Sequence, residues 1–409
     1  MARAMKNSGI EWIGEIPEGW ETVRFKYLHD GLNTGEAIDK EFWTSEESDK
    51  PFYTAGLVPI KTSYKDFPPS KYTSDNDLLL ARNGTPYVYF PVSGACYTDH
   101  IIRAAIKPKM NRRFIQYAVQ QSILSIVVDS VSIATWSASL WNEQTIPWPP
   151  VEAQQRIVGF LDTECARIDA VIEQTRASID EYKKLKQSVI TQAVTKGIRP
   201  GRKMKDSGVE WIDVIPAEWS MERGKGLFVE VDNRSLDGSE ELLTVSQYTG
   251  VTPRSQKNVN MFEAETLEGY KICEVGDIAA NTMWLWAGAI GVSNYRGVIS
   301  PSYNIYRQKN NDFDPTYLDF LLRAVPLVQH YESLSTGIRA SRLRLYPQQF
   351  LSIRYPVPPM NEQKEIVSFL REKIDGMDSL IQKKEQYLAE IESYKKSLIF
   401  EYVTGKKEV

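Results

Sequence analysis

The sequence predicts an α+β protein with a pseudo-two-fold internal repeat, in which two globular lobes are separated by two long antiparallel coiled-coil helices. A lead-in phrase at residues 5–20 returns at residues 204–219 with most of its residues unchanged. A second phrase, Pro-Pro-x-x-x-Gln, occurs at 149–154 and again at 358–363, and each copy opens a long helical run. A repeat period near half the chain indicates an internal duplication, whereas periods of about 20 to 50 residues indicate solenoids.

The two helical runs lie between Pro150 and Gly197 and between Glu362 and Val403. Apolar residues recur in both at steps of three and four, with paired positions shifted by 209 residues. Pro-Pro cannot continue a helix backwards, and glycine is common just beyond a helix end. The predicted coiled-coil seam consists of Leu161, Ile168, Ile172, Ile179, Leu370, Met377, Ile381 and Leu388.

Each run predicts a helix of about 45 residues and about 65 Å. A helix of this length leaves its apolar seam in water unless it has a partner, and the other copy is the obvious one. A pseudo-two-fold axis that crosses the pair makes the helices antiparallel. The alternative is that both are core helices of one globular domain, but such helices rarely exceed about 25 residues.

The duplicated phrases divide the chain into four predicted segments. The stretches between the phrases do not visibly match each other, so the lobes are the variable parts. The segments are a first lobe with its lead-in at 1–148, a first spacer helix at 149–199, a second lobe at 200–357 and a second spacer helix at 358–409.

Each lobe mixes short β-like runs with one helix. Neither shows the regular βαβ alternation of a doubly wound sheet, so each is predicted to be α+β. In the first lobe, residues 77–84 predict a strand that runs into a glycine turn, and residues 113–126 predict a helix. In the second lobe, residues 276–284 and 315–325 are predicted to play the equivalent parts.

The composition limits the class of protein. The chain of 409 residues carries a formal net charge of -4, which counts mildly against nucleic-acid binding but leaves room for a local basic patch or a basic partner. No apolar run approaches about 18 residues, and the N-terminus has no apolar leader, so we expect a cytoplasmic protein without a membrane partner. The three cysteines lie far apart without a metal-binding spacing, which fits a reducing compartment.

Polar residues beside glycine turns are the candidate nucleic-acid contacts. In the first lobe these are Arg82 and Asn83, which precede Gly84, and Thr135 and Trp136 in a later loop. Arginine bridges guanine edges or pairs with phosphates, and hydroxyl and amide groups fix the register of a protein on a duplex. A purely structural role for Arg82 and Asn83 fits the sequence equally well.

The second lobe carries an arginine cluster in the loop at 335–346. Arg339, Arg342 and Arg344 lie beside a glycine turn and an aromatic residue. They suit phosphates or guanine edges. The alternative is that they form a solvated face of the lobe.

A further cluster in the second lobe joins amide and hydroxyl groups near turns. These groups suit adenine or phosphate edges, or else they cap the turns themselves. The cluster consists of Asn281, Thr282, Tyr303 and Asn304. The neighbouring Met283, Trp284 and Trp286 are predicted to belong to the core rather than to a platform for stacked bases.

Catalytic motifs are missing from the sequence. It has no GxxxxGK[ST] phosphate-binding loop, no GxGxxG, and no HExxH or GxSxG motif. It also lacks an Asn/Asp-Pro-Pro-Tyr/Phe motif, which would hold a flipped adenine in an N6-adenine methyltransferase. These absences predict a binding protein without catalytic residues or a metal site of its own.

The doubled phrases resemble those of the specificity (S) subunit of type I restriction-modification systems. The matching signals are the Met-Lys-x-Ser-Gly-x-Glu-Trp-Ile lead-ins, the Pro-Pro-x-x-x-Gln helix openings, the Val-Thr helix endings at 194–195 and 403–404, and the Gly-Asp-Ile turn at 276–278. The resemblance covers essentially the whole chain. It departs at Asn76, where the family usually has glycine, a difference that concerns only the local turn.

The resemblance implies that the lobes are target-recognition domains. Each would read one half of a bipartite double-stranded DNA target, across a gap that the helices set. It also implies a non-catalytic subunit that recruits two modification (methyltransferase) subunits and restriction subunits. Those partners would bind S-adenosylmethionine, ATP and Mg²⁺, and this chain would hold no cofactor.

Two other functions are compatible with the sequence. A fused restriction-type enzyme would carry its catalytic residues in a lobe, and the missing motifs disfavour it. A coiled-coil scaffold would join two protein-binding lobes, and failure of the chain together with its methyltransferase to shift any duplex at low salt would favour it.

Overall fold

The computed structural model of the protein describes residues 3–126, 135–257, 266–337 and 343–409. The chain forms two compact units, one made of Met1–Thr175 with Gln386–Val409 and the other of Arg176–Glu385. We call them unit 1 and unit 2. Each contains one lobe and a portion of both long helices.

The first lobe consists of short strands, two helices and 3₁₀ turns at Phe25–Tyr27, Lys40–Phe42 and Pro69–Lys71. Its strands and helices are β1 (Met5–Asn7), β2 (Glu15–Pro17), β3 (Glu21–Arg24), β4 (His29–Thr34), β5 (Trp43–Thr44), β6 (Lys50–Tyr53), β7 (Ile60–Thr62), β8 (Asp77–Ala81), β9 (Val88–Tyr89), β10 (Cys96–Tyr97), β11 (Ile101–Ile106), α1 (Arg112–Leu124), α2 (Ala138–Glu143) and β12 (Thr145–Trp148). The first long helix, α3 (Val151–Lys196), follows.

The second lobe has 3₁₀ turns at Arg254–Gln256 and Leu285–Ala287. Its strands and helices are β13 (Met204–Val209), β14 (Ile212–Pro216), β15 (Ser220–Arg223), α4 (Gly224–Leu227), β16 (Phe228–Val231), β17 (Leu243–Ser246), β18 (Gly250–Pro253), β19 (Lys271–Cys273), β20 (Ile278–Ala280), β21 (Ile290–Val292), β22 (Gly297–Ile299), β23 (Asn304–Gln308), α5 (Pro315–Leu322), α6 (Val325–Leu334), α7 (Pro347–Ser352) and β24 (Arg354–Val357). The second long helix, α8 (Met360–Val403), follows.

Both lobes contain the same four-stranded antiparallel sheet, although their sequences do not visibly match. Its order is β4-β11-β8-β9 in unit 1 and β16-β23-β20-β21 in unit 2. The pairing of β3 with β12 in unit 1 and of β15 with β24 in unit 2 is also equivalent. The antiparallel pairs β1-β2 and β13-β14 are equivalent too. The lobes differ in the other strands: unit 1 has a mixed sheet of order β10-β6-β7-β5, and unit 2 has the pairs β17-β18 and β19-β22.

A buried aspartate opens the central strand of each sheet. Asp277 pairs with Arg307 on the neighbouring β23 through two hydrogen bonds of 2.6 and 2.7 Å. In unit 1, Asp77 lies 3.8 Å from Arg103 on the equivalent strand β11. A buried carboxylate needs such a partner, so the Gly-Asp-Ile signal of the second lobe marks a structural ion pair.

The predicted elements of the lobes are found with small differences in length. The strand predicted at 77–84 ends at Ala81, and its turn includes Gly84 with a φ of 71°. The helix predicted at 113–126 is α1, Arg112–Leu124. The predicted end of the helix at 315–325 was wrong, because α5 ends at Leu322 and a second helix, α6, begins at Val325. The cause is Pro326: its ring would clash with the carbonyl four residues earlier in a continuous helix, and proline has no N–H to donate.

The long helices α3 and α8 contain 46 and 44 residues, as predicted. In unit 1, the rings of Phe160 and Tyr402 lie 4.4 Å apart between centroids, and Lys395 bonds to Asp169 at 2.6 Å. Positions nearer the C-terminal end of α3 therefore contact positions nearer the N-terminal end of α8, which makes the pair antiparallel.

The helix pair in unit 2 has the same orientation. Lys183 bonds to Glu385 at 3.1 Å, and Lys186 bonds to Asp378 at 2.6 Å. The antiparallel pairing predicted from the sequence is therefore confirmed within each unit. Of the predicted seam residues, Met377 and Leu388 are half-buried, and the rest are buried: Leu161, Ile168, Ile172, Ile179, Leu370 and Ile381.

The glutamine of each Pro-Pro-x-x-x-Gln phrase explains why the phrase opens a helix. Gln154 Nε2 donates to the carbonyl of Pro149 at 2.9 Å, and Gln363 Nε2 donates to that of Pro358 at the same distance. Both glutamines are buried. Each side chain thus satisfies a buried carbonyl at the entry to its helix.

Among residues 3–126, 135–257, 266–337 and 343–409, none of the helices combines the length and the apolar composition that a membrane span requires. Within the same ranges, no group of three or more His, Cys, Asp and Glu side chains could hold a metal ion.

Candidate nucleic-acid interface

In unit 1, the structure brings the two predicted clusters of the first lobe together. The loop after β8 contacts the segment before α2, because Trp136 N donates to the carbonyl of Arg82 at 2.7 Å. Asn83 and Thr135 form an isolated antiparallel bridge beside this contact. The indole of Trp136 donates to the carbonyl of Gly84 at 2.6 Å. Residues that are far apart in sequence therefore form one surface.

The residues of this surface differ in solvent exposure, so they differ in whether they can contact a ligand. Trp136 is buried and holds the two segments together. The side chains of Arg82 and Thr135 are exposed, and Arg82 makes no ion pair within the described part of the chain. Asn83 bonds to the exposed His100 at 2.8 Å through its Nδ2 and the ring Nδ1. Arg82 and Thr135 are thus the groups best placed to meet a ligand.

In unit 2, the equivalent loop joins β20 to β21. Asn281 is buried, and its Oδ1 accepts from the amide of Met283 at 3.2 Å, which is the turn-capping arrangement. Its Nδ2 donates to the hydroxyl of Tyr303 at 2.8 Å. Thr282 donates from its hydroxyl to the carbonyl of Ser302. Three of the four predicted residues therefore lie in one hydrogen-bonded cluster.

Tyr303 is the member of this cluster with a spare hydrogen. Its hydroxyl oxygen accepts from Asn281, and within the described part of the chain the hydroxyl hydrogen has no acceptor, so it can be donated to a ligand. Burial raises the pKa of Tyr303, although the bond from Asn281 opposes that rise, so the group stays protonated at neutral pH. Asn304, the fourth predicted residue, is buried in β23 opposite Ala280.

The prediction that Met283, Trp284 and Trp286 belong to the core was wrong. Trp284 is 50% exposed and Met283 36% exposed, and Trp286 is half-buried. The 3₁₀ turn and the left-handed Gly288 reverse the chain so that Leu285 takes the buried position instead. An apolar run beside a glycine therefore marks a surface loop here.

Hydrogen bonding and stacking hold this aromatic pair in place. The rings of Trp284 and Trp286 stack with their centroids 5.7 Å apart and their planes inclined by 26°. Trp286 Nε1 donates to the carbonyl of Met283 at 3.0 Å. An exposed and pre-ordered aromatic face of this kind suits the stacking of a base or insertion at a base step.

Of the predicted arginine cluster, only Arg344 lies within the described residues. It is half-buried and pairs with Thr336 through two backbone hydrogen bonds of 2.9 and 3.0 Å. Its Nη1 donates to the carbonyl of Leu343 at 2.8 Å. Arg339 and Arg342 lie outside the described residues.

A family match covers the first lobe and part of the first long helix. Residues 17–181 match the family described as the type I restriction modification DNA specificity domain.

Two proteins of Methanocaldococcus jannaschii are similar to the chain over nearly its full length. The type I restriction enzyme MjaVIII specificity subunit is 22% identical over 423 residues, which cover 96% of this chain and 94% of that protein. The putative type I restriction enzyme MjaX specificity subunit is also 22% identical, over 97% of this chain and 96% of that protein.

The fold is similar to that of a chain in a solved structure that concerns complex assembly and conformational transition of the type I R-M system. The TM-score is 0.68 at 15% sequence identity, over 96% of this chain and 99% of that chain. At this identity, the likeness establishes the fold.

Proposed function

Because this chain belongs to the specificity subunits of type I restriction-modification systems, we propose that each of its lobes reads one half of a bipartite double-stranded DNA target. The loop between β8 and β9 reads one half-site, and the loop between β20 and β21 reads the other. The long helices set the gap between the half-sites.

The observation that carries this proposal is the shared sheet with unlike loops. The four-stranded sheets of the two lobes have equivalent strand orders. Beside that sheet the first lobe presents Arg82 and Thr135, whereas the second lobe presents Trp284 and Tyr303. Sequence is read by contacts to base edges and by deformation of the duplex, and phosphate contacts fix position. A shared sheet that presents different side chains in each lobe suits two different half-sites.

The chemistry of the two loops differs in kind. Arg82 and Thr135 are polar and solvent-facing, which suits phosphate or guanine contacts in the first half-site. Trp284 with Met283 is apolar and exposed, which suits stacking or insertion in the second half-site. Tyr303 adds a hydrogen-bond donor to that second surface.

The helices suit the role of a spacer because of their length and pairing. Half-sites that are read from the same face of a duplex lie about one helical turn apart, roughly 34 Å. Helices of 46 and 44 residues have the length to define such a separation. Ion pairs such as Lys186–Asp378 and Lys395–Asp169 link α3 to α8 and resist their sliding.

The chain itself is proposed to be non-catalytic. Two modification (methyltransferase) subunits would bind S-adenosylmethionine, and restriction subunits would bind ATP and Mg²⁺. The sequence motifs for those activities are missing from this chain. Its net charge of -4 fits this division, because basic partners would then supply much of the phosphate contact and counterion release. The complex would act in the cytoplasm.

The proposal is tested by adding the methyltransferase subunit to the purified chain. With labelled S-adenosylmethionine and mixed duplex DNA, we expect methyl transfer only when both proteins are present. Methyl transfer by this chain alone would show that it is a fused enzyme. If the two proteins together shift no duplex at low salt, the chain is a protein scaffold.

A further inference from the structure

In unit 2, a cation and an indole share one buried carboxylate. Arg202 donates to both oxygens of Glu362, with Nη2 at 3.3 Å from Oε2. Trp219 Nε1 donates to the same Oε2 at 3.0 Å. The guanidinium also lies over the indole ring, 5.7 Å from its centroid. These three buried groups therefore satisfy one another.

Unit 1 repeats the cation and the indole but not the carboxylate. Arg3 and Trp20 hold the repeat positions of the arginine and tryptophan of unit 2, because the two lead-ins are 199 residues apart. Arg3 lies over the Trp20 ring, 5.4 Å from its centroid. The repeat position of Glu362 is Ala153, 209 residues earlier, and its methyl group cannot accept a hydrogen bond.

Trp20 therefore carries a buried hydrogen-bond donor. Its side chain is 2% exposed, as buried as its counterpart in unit 2. Its Nε1–H has no hydrogen-bond partner among the described residues. A buried donor that stays unsatisfied costs about 1–3 kcal/mol, which indicates that another group completes the site.

The Trp20 side chain lines a small cavity whose surroundings favour negative charge. Trp20, Arg3 and Arg156 line a cavity of about 20 Å³. Ala153, which also lines it, lies in the first turn of α3, where the helix dipole attracts anions. Arg156 stands at the repeat position of Glu365, so this helix face has changed from acidic to basic between the two units.

We propose that this cavity binds one carboxylate, which accepts hydrogen bonds from Trp20 Nε1 and from Arg3. The ligand takes the place that the Glu362 carboxylate fills in unit 2. The site lies within unit 1 and does not depend on the proposed reading of DNA.

A carboxylate fits this cavity better than a larger anion. The cavity has room for about one water-sized group, so one carboxylate oxygen enters while the other stays at the opening. A phosphate would leave most of its charge outside the site. Glu408 and Val409 also line the cavity, but neither of them accepts a hydrogen bond from Trp20 Nε1. The ligand is therefore expected to come from another molecule.

The indole N–H resonance of Trp20 in the full-length, ¹⁵N-labelled protein tests the site. Sodium acetate, exchanged for sodium chloride at constant ionic strength, is expected to move this signal downfield in a saturable way. The Trp219 signal is expected to stay in place, because its donor already bonds to Glu362. Trp20→Phe assigns the signal by its loss. A Trp20 signal that ignores acetate contradicts the site and leaves bound water as the partner of the indole.

Two matched variants separate binding from a folding defect. Ala153→Glu places the missing carboxylate on α3 and is expected to abolish the acetate response of Trp20. Glu362→Ala opens the equivalent position in unit 2 and is expected to make the Trp219 signal respond. A folding defect cannot imitate both results, because one variant closes a site and the other opens one. An unchanged acetate response in Ala153→Glu would overturn the proposal.

Two further titrations define the ligand. If inorganic phosphate moves the Trp20 signal and acetate does not, the assignment to a carboxylate is wrong. The acetate titration is then repeated with the methyltransferase subunit bound. If that subunit alone moves the signal and acetate adds nothing, an acidic side chain of the partner is the source. A continued response to acetate identifies a free small acid.

Discussion

The indole ring of Trp284 stacks on that of Trp286, with the centroids 5.7 Å apart, and yet half of its surface is open to solvent. The pair is ordered by the hydrogen bond from Trp286 Nε1 to the carbonyl of Met283. The hydrogen bond therefore holds Trp286 in place, and Trp284 is presented to a ligand. This relationship gives Trp284 an exposed and ordered face that can stack on a base.

Replacing Trp284 with alanine is expected to weaken DNA binding without unfolding the lobe. Stacking on an aromatic side chain contributes about 1–3 kcal/mol per base, so the affinity should fall roughly 5- to 150-fold. Fluorescence anisotropy of the assembled complex with its target duplex measures the loss. The control is Tyr394→Ala, which removes an aromatic ring that is 56% exposed on α8. Equal affinities of the two variants would remove Trp284 from the interface.

Replacing Arg82 with alanine is expected to flatten the salt dependence of DNA binding. Each phosphate contact that is lost lowers the slope of log affinity against log salt by about 0.9. The matched control is Arg167→Ala on α3, which removes the same charge from a side chain that is 75% exposed and paired with Glu164. Affinities measured from low to physiological salt give both slopes. An unchanged slope for Arg82→Ala would show that this arginine makes no phosphate contact.

The Asp277–Arg307 ion pair is expected to be the stronger of the two equivalent pairs. Asp277→Asn should destabilise the second lobe by about 1.5–3 kcal/mol, because the buried Asp277 side chain loses its charge and the charge-assisted hydrogen bonds from the partly exposed Arg307. Asp77→Asn should cost less, since Arg103 is 3.8 Å away rather than 2.6 Å. Hydrogen exchange of the amides of the central strands reports each lobe separately. Equal losses in both lobes would contradict this ranking.

The stability of unit 2 is expected to decrease in acid because of Glu362. Burial, the largest influence, raises the pKa of Glu362, but the hydrogen bonds from Arg202 and Trp219 outweigh it, so the pKa lies below the ordinary 4.5. A group with a lowered folded pKa stabilises fully above its unfolded pKa and loses that contribution as the pH falls through the folded value. The loss should therefore begin below about pH 4.5.

Thermal unfolding of the native chain and of Glu362→Gln from about pH 6 to about pH 3 measures this effect. The native chain should lose stability over the acid part of that range. The variant should be less stable than the native chain at neutral pH, and the difference should shrink in acid. A constant difference at all pH values would show that the carboxylate charge does not contribute.

The repeated phrases of the sequence predicted the long helices well because each phrase has a local physical meaning. Gln154 and Gln363 satisfy carbonyls at the helix entries. Gly9 and Gly208 both adopt a φ of 71° in the lead-in hairpins, a conformation that favours glycine. Short-range contacts of this kind can be read from the residues alone.

The sheet shared by the lobes could not be predicted in the same way. The strand β20 has only three residues, all buried, and its neighbours come from distant parts of the chain. Short strands that are buried on both faces have no alternating pattern to reveal them.

The candidate site could be predicted in part only, because its contacts join residues that are distant in sequence. The sequence predicts Asn83 and Thr135 as candidate contacts. Their pairing could not be predicted, because the two residues lie 52 positions apart in the chain. The exposure of Trp284 depends on the turn at Gly288, and a tryptophan-rich run by itself favours burial. The types of the side chains therefore predicted the polar candidate contacts, whereas the exposed tryptophan could be identified only from the fold.

Mapping of methylated adenines in DNA from cells that contain this chain and its methyltransferase subunit tests the central claim most directly. We expect one asymmetric target made of two short, unlike half-sites separated by a gap of constant length. A single continuous recognition sequence, or two half-sites at variable spacing, would contradict the proposal that two different lobes read DNA at a separation set by the helices.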